Sequence, residues 1–332
     1  MRGWFLLTVA LAAQAAQTKA APQQPIRVQV QEVVVPVTVT DEKGRFVSNL
    51  DVKDFQVLEE GKEQKIIYFS REQGQPVVVG FLLDMSNTTR LHWKTFQEAT
   101  LELVWNLLPG DKRFSGYLIT YANEAELAVN TSHDSEKITE KIRKLKPGGG
   151  AALFDAIWMA CTRRSLVKGE PIEPRRVLII IGDGNDNASK RGLQEVLEIA
   201  QRNLVTIYGV STVAFGFTSE GDKNLQRLAE ETGGRVEYPL QGLYSNVSGY
   251  LSTPSDEGNY ALKVGTGGYA AEIAGGIFKA VANVAGEVTT QYVMRYVPSA
   301  ADSARPYRSI EVKVSLPNVK VRARKGYYAA NP

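Results

Sequence analysis

Cysteine and histidine are nearly missing from the 332-residue sequence: one Cys, at 161, and two His, at 92 and 133. A lone thiol excludes an intrachain disulfide framework and any multi-cysteine metal site. Two histidines in polar surroundings leave nothing for a histidine-rich metal centre or a histidine-based triad. Net charge is also lacking, at +3 from 39 Lys and Arg against 36 Asp and Glu, too little to point to a nucleic-acid partner. Long apolar runs are absent too. The longest early stretch, Trp4–Ala13, is about half of the roughly 20 residues that span a bilayer as a helix. What is present is a globular composition, 43% hydrophobic and 23% charged, with enough length for one large domain or two ordinary ones.

Residues 1–21 have Arg2, then the apolar stretch, then Ala- and Gln-rich residues with small side chains at Ala13, Ala15 and Ala16. That layout is a secretory signal peptide and predicts a secreted or periplasmic protein with no membrane span in its mature chain. Without Arg2 and Lys19 the charge falls from +3 to +1.

From Ile26 to Thr40 branched residues alternate, which predicts strands, and Phe55–Phe69 reads as a hairpin around Glu60-Gly61. The texture changes at Pro76. Val77–Leu83 and Val177–Ile181 are continuous apolar runs, expected of strands buried on both faces. Between and after them lie helical patterns at 91–108, 135–145, 151–164, 189–202, 222–232 and 272–288, alternating with strands at 113–121, 205–210 and 235–238. Such alternation predicts an α/β fold with a doubly wound, mostly parallel sheet. Strands at 291–297, 308–316 and 319–324 close the chain. The expected division is a signal peptide at 1–21, an N-terminal β segment at 22–72, the α/β domain at 73–290 and a C-terminal β segment at 291–332. The Gly- and Tyr-rich stretch 241–271 is read as an insertion or surface loop. The two β segments are expected to pack together as a small β-sandwich-like domain.

Ligands of open α/β sheets bind beyond the carboxyl ends of the strands. Two apolar strands here end in carboxylates, Asp84 followed by Ser86 and Thr88, and Asp183. Hard oxygen donors of this kind suit Mg²⁺ or Ca²⁺. The competing reading makes both aspartates helix caps.

Asp84-x-Ser86-x-Thr88, Gly148-Gly-Gly-Ala-Ala-Leu-Phe-Asp155 and Ile180-Ile-Gly-Asp183-Gly-x-Asp186-Asn187 occur in that order. Together they resemble the von Willebrand factor type A (VWA) domain and its metal-ion-dependent adhesion site (MIDAS), over about residues 76–290. Val37–Gly44, Lys53–Gly61, Gln291–Tyr296 and Arg322–Tyr328 look like the flanks of a secreted bacterial "VWFA-related" family. The resemblance implies protein–protein interaction and adhesion rather than catalysis. A divalent cation (Mg²⁺ first, Mn²⁺ or Ca²⁺ as alternatives) would be held by Asp84, Ser86, Thr88 and Asp183, with a carboxylate of a protein partner completing its shell. Thr88 replaces the usual last Ser of the first motif. Ala151 stands where the second loop normally offers a Thr, and alanine cannot ligate. Asp155 and Asp186 are read as structural. A metal-free envelope scaffold is the alternative. Asp84-x-x-x-Thr88 also resembles the nucleophile motif of haloacid-dehalogenase-type, Mg²⁺-dependent phosphohydrolases, but Ser86 sits where their acid/base Asp belongs and cannot shuttle a proton.

Overall fold

The structure is a computed structural model describing residues 32–71, 76–167, 174–213, 219–240, 266–298 and 306–328. The expected signal peptide, the start of the first expected strand and residues 241–265 lie outside the described residues.

The elements follow in chain order. Strands β1 (Val33–Asp41), β2 (Phe55–Glu59), β3 (Lys62–Gln64) and β4 (Tyr68–Ser70) precede β5 (Val77–Asp84). Then come α1 (Trp93–Leu107), β6 (Phe114–Tyr121), β7 (Ala125–Ser132), α2 (Ser135–Arg143), α3 (Leu153–Thr162) and β8 (Arg175–Gly182). Helix α4 (Leu193–Arg202), β9 (Thr206–Ser211), α5 (Glu220–Thr232), β10 (Val236–Glu237) and α6 (Thr266–Thr290) complete the α/β part. Strands β11 (Tyr292–Tyr296), β12 (Tyr307–Val314), β13 (Val319–Ala323) and β14 (Gly326–Tyr328) close the chain.

The central sheet runs β10-β9-β8-β5-β6-β7, parallel except for β7. Its middle strands lack polar alternation because both faces are covered. Val77, Val79, Phe81 and Leu83 of β5 pack with α1, α2 and α6 on one side. Val78 and Leu82 pack with α3, α4 and α5 on the other. The expected doubly wound sheet is therefore present. The edge strand β7 was not anticipated: its half-exposed Ala125–Ser132 carries too little apolar alternation to signal a strand. The last helix starts at Thr266 rather than 272, inside the stretch expected to be a loop. Its Ile273, Ile277, Ala280, Val281, Val284 and Val288 recur at helical spacing and line the first core.

The chain ends meet in two antiparallel four-stranded sheets, β13-β1-β11-β4 and β14-β12-β2-β3. Val33, Val35, Val37 and Val39 point inward from β1 at period two and meet Phe55, Val57, Tyr292, Met294 and Tyr296. The β2–β3 turn at Glu60-Gly61 has both residues at positive φ, 51° and 76°, which suits a tight two-residue hairpin. Among the described residues no helix is long and apolar enough to cross a membrane.

Candidate functional site

The central sheet's topology decides where the site forms. β5 and β8 are neighbours with Leu83 opposite Ile181, so Asp84 comes level with Gly182 and the loops after both strands leave from one rim. Gly182 lies against Asp84: a Cβ there would sit 2.7 Å from Asp84 Cβ and 2.9 Å from its Oδ2, and would overlap the Tyr121 hydroxyl. Only the missing side chain lets the two acidic loops approach this closely.

Four loops are stitched together around that point. Gly148 N–H donates to the Met85 carbonyl (2.6 Å) and Asn87 N–H to Gly149 (3.1 Å), joining the first loop to the second. Ala151 N–H donates to Asn187 Oδ1 (2.8 Å) and Phe154 N–H to Asp186 Oδ2 (2.8 Å), joining the second to the third. Asn123, just past β6, accepts from Gly150 N–H (2.7 Å). Asp155 Oδ2 accepts from Lys190 N–H (3.1 Å). Asp186 is thus engaged by backbone N–H groups and the Ser189 hydroxyl (2.6 Å), and Asp155 holds the Lys190 N–H. Asn187 stands in the third motif without an assigned role, and Asn123 and Tyr121 carry no recognisable spacing by which to select them.

Inside this frame Ser86 N–H donates to Asp84 Oδ1 (2.7 Å), and the hydroxyls of Ser86 and Thr88 share a 2.8 Å hydrogen bond. Asp84 is 1% exposed and its Oδ2 has no hydrogen-bond partner. Burial, with the Asp183 charge adding to it, pushes its carboxyl up to about 6 despite the Ser86 N–H. The buried Tyr121 hydroxyl is also unpartnered, and burial followed by the charges of Asp84 and Asp183 raises its pKa far above the ordinary value. Asp183, 6% exposed, accepts from Asn185 at both oxygens, from N–H and from Nδ2, each at 2.9 Å. Neither aspartate caps a helix. Each closes a turn onto the residue two positions on.

The structure thus brings Asp84, Ser86 and Asp183 into one recess with Thr88 at its exposed lip. Ala151 is buried beside them and offers only main-chain groups. Among the described residues no three His, Cys, Asp or Glu side chains gather, so a cation in this recess would rest on two carboxylates and two hydroxyls.

Residues 79–242 match the family model described as the von Willebrand factor type A domain. The chain carries a VWA domain. Solved structures with which it aligns include BatB from Bacteroides thetaiotaomicron, at 19% identity over 48% of this chain and 88% of that one, with a TM-score of 0.39. Mussel byssus proximal thread matrix protein 1, solved with a zinc-occupied MIDAS motif, aligns at 13% identity and a TM-score of 0.41. That alignment covers 69% of this chain and 49% of the mussel protein, so the chain spans about half of its length. The type V pili tip protein Mfa5 from Porphyromonas gingivalis aligns at 18% identity over 47% of this chain and 27% of its three-domain structure, with a TM-score of 0.31. No curated protein matches the sequence. The family match ends at 242, yet α6, beyond it, fills one face of the VWA sheet.

Proposed function

We propose that this VWA domain is a protein-binding module whose contact point is a divalent cation, Mg²⁺ in the first instance, held by Asp84, Ser86, Thr88 and Asp183. The observation that carries the reading is the unpartnered Asp84 Oδ2, buried beside a paired set of hydroxyls. A buried carboxylate oxygen with no donor is costly, and a hard cation is the group that matches it. When bound, the ion supplies a Lewis-acidic contact for a carboxylate of the partner protein. The chain's own part is positional: Ser86 N–H orients Asp84, the Ser86–Thr88 pair presents two oxygens, and Asn185 fixes Asp183. Ser86, two residues after Asp84, offers no acid/base group, which favours binding over phosphoryl transfer. Export to a periplasmic or extracellular space belongs to the same proposal and rests on residues 1–21.

A metal-free scaffold is the second reading. It is favoured by Ala151 and by Asn185's hold on both Asp183 oxygens. Calorimetric titration of the full chain with Mg²⁺, Mn²⁺ and Ca²⁺ separates the two. Saturable heat that Asp84→Ala abolishes and Ala151→Thr strengthens supports the cation site, whereas no heat in any of the three proteins leaves the scaffold.

A further inference from the structure

A second polar recess lies away from the metal loops, where β13 faces α5 and β10. β12 and β13 share a turn, but β12 pairs with β2 and β14 while β13 pairs with β1. Beside the point where they part is a cleft of about 650 Å³. That volume is within the range of small-molecule sites. Its walls include Val236, Tyr238, Ile310, Val312, Lys320 and Arg324.

Residues at alternate positions of β13 take opposite sides. Val319, Val321 and Ala323 pack toward the sandwich core, which leaves Lys320 and Arg322 on the other face, and Arg324 follows directly after the strand. Most cations around the cleft already have carboxylate partners. Arg322 pairs with Glu287 (2.6 Å), Arg235 with Glu237 (2.8 Å) and Glu287 (2.9 Å), and Lys325 with Glu230 (3.3 Å). Arg324 differs. It is 1% exposed and its Nη2 donates to the Leu204 carbonyl (2.8 Å), yet among the described residues Nε and Nη1 have no acceptor and no carboxylate forms an ion pair with it, although Glu230, paired with Lys325, and Glu311, paired with Lys313, also line the cleft. Burial holds its guanidinium down to about 10. Exposed Lys320, four residues earlier and also lining the cleft, has no carboxylate partner among the described residues.

We propose that this cleft binds a small organic oxyanion, its charged oxygens taken by Arg324 and Lys320 and its apolar part resting on Ile310, Val312 and Val236. A guanidinium offers fixed N–H groups that match carboxylate and phosphate oxygens, and a buried one with free donors is left at a deficit until such a group arrives. The site is independent of the cation loops.

The test is calorimetric titration of the full chain, in EDTA, with phenyl phosphate, benzoate and inorganic phosphate. Saturation at one phenyl phosphate per chain, tighter than inorganic phosphate, supports a phosphate ester as the ligand class, and tighter benzoate supports a carboxylate. Arg324→Gln weakens the preferred probe about tenfold or more, and the exposed Lys320→Gln, which leaves the core untouched, weakens it about threefold or more. Asp84→Ala leaves binding unchanged. The proposal is overturned if none of the three probes saturates, or if the folded Lys320→Gln variant binds the preferred probe as tightly as the parent.

Discussion

Asp84 carries two opposed demands. The Ser86 N–H fixes one of its oxygens, while its surroundings resist its charge. In the cation-free protein the unfolded carboxyl ionises near 3.8 and the folded one near 6, so the folded state keeps a proton that the unfolded state has lost between those values. Stability therefore declines as pH rises through that window and stays lower above it. A shift of this size corresponds to about 3 kcal/mol. Asp84→Asn is accordingly more stable than the parent in EDTA at pH 8, by up to about 3 kcal/mol in urea unfolding, and the gap closes as pH falls to 4. A gap that persists unchanged in acid rejects this account. With Mg²⁺ at about 100 times its dissociation constant the parent regains roughly 2.7 kcal/mol and the variant does not. At this scale the sequence marked three residues that the structure brings to one end of the sheet. Asp84, Ser86 and Asp183 were identifiable from their positions after apolar strands. Tyr121 and Asn123 were not, and Asn187 stood in a motif with no role, because what these side chains do depends on loops that only folding makes adjacent.

Strands β5 and β8 set the site as a pair, since the loop after β5 offers one carboxylate, Asp84, and on the loop after β8 Asp186 is already taken by Phe154 N–H and Ser189. Their parallel register puts Gly182 against Asp84, where a methyl group has no room. Gly182→Ala is expected to cost about 1–3 kcal/mol of stability and to separate the carboxylates. Thermal unfolding checks the first effect, and cation titration weaker than the parent's but not abolished as in Asp84→Ala checks the second. Apolar continuity revealed the buried strands, and helical spacing revealed most of α1 to α5. The edge strand β7 escaped because its side chains are half-exposed and its pairing is decided by β6, including an irregular register near Leu118. The first turns of α6 escaped because Thr266-Gly-Gly has the composition of a loop and becomes helical in the context of the packed helix.

Across the whole molecule, the β-sandwich and the VWA sheet are joined through one buried carboxylate. Glu287 on α6 is fully buried and accepts from Thr38 Oγ1 (2.9 Å) on β1 and from Tyr208 Oη (3.2 Å) on β9. It also pairs with Arg322 on β13 and Arg235 beside β10. Removing it leaves two guanidinium groups and two hydroxyls with fewer acceptors in a dry setting. Glu287→Ala is expected to destabilise the chain by about 3–5 kcal/mol, read from denaturant unfolding, while Glu287→Gln loses less because the amide oxygen still accepts. Equal losses in the two variants would contradict a hydrogen-bonding role.

The sequence by itself determined the alternation of strands and helices, the α/β class, the sandwich-forming ends and the acidic residues at the strand tips. These follow from periodicity and from residue chemistry, which are local. Tertiary structure alone decided that strands some 250 residues apart would pair, that Gly182 would press on Asp84, and that Arg324 would be enclosed with two nitrogens unpartnered among the described residues. Those facts depend on which surfaces meet, and burial changes the energy of a charge far more than any spacing along the chain can signal.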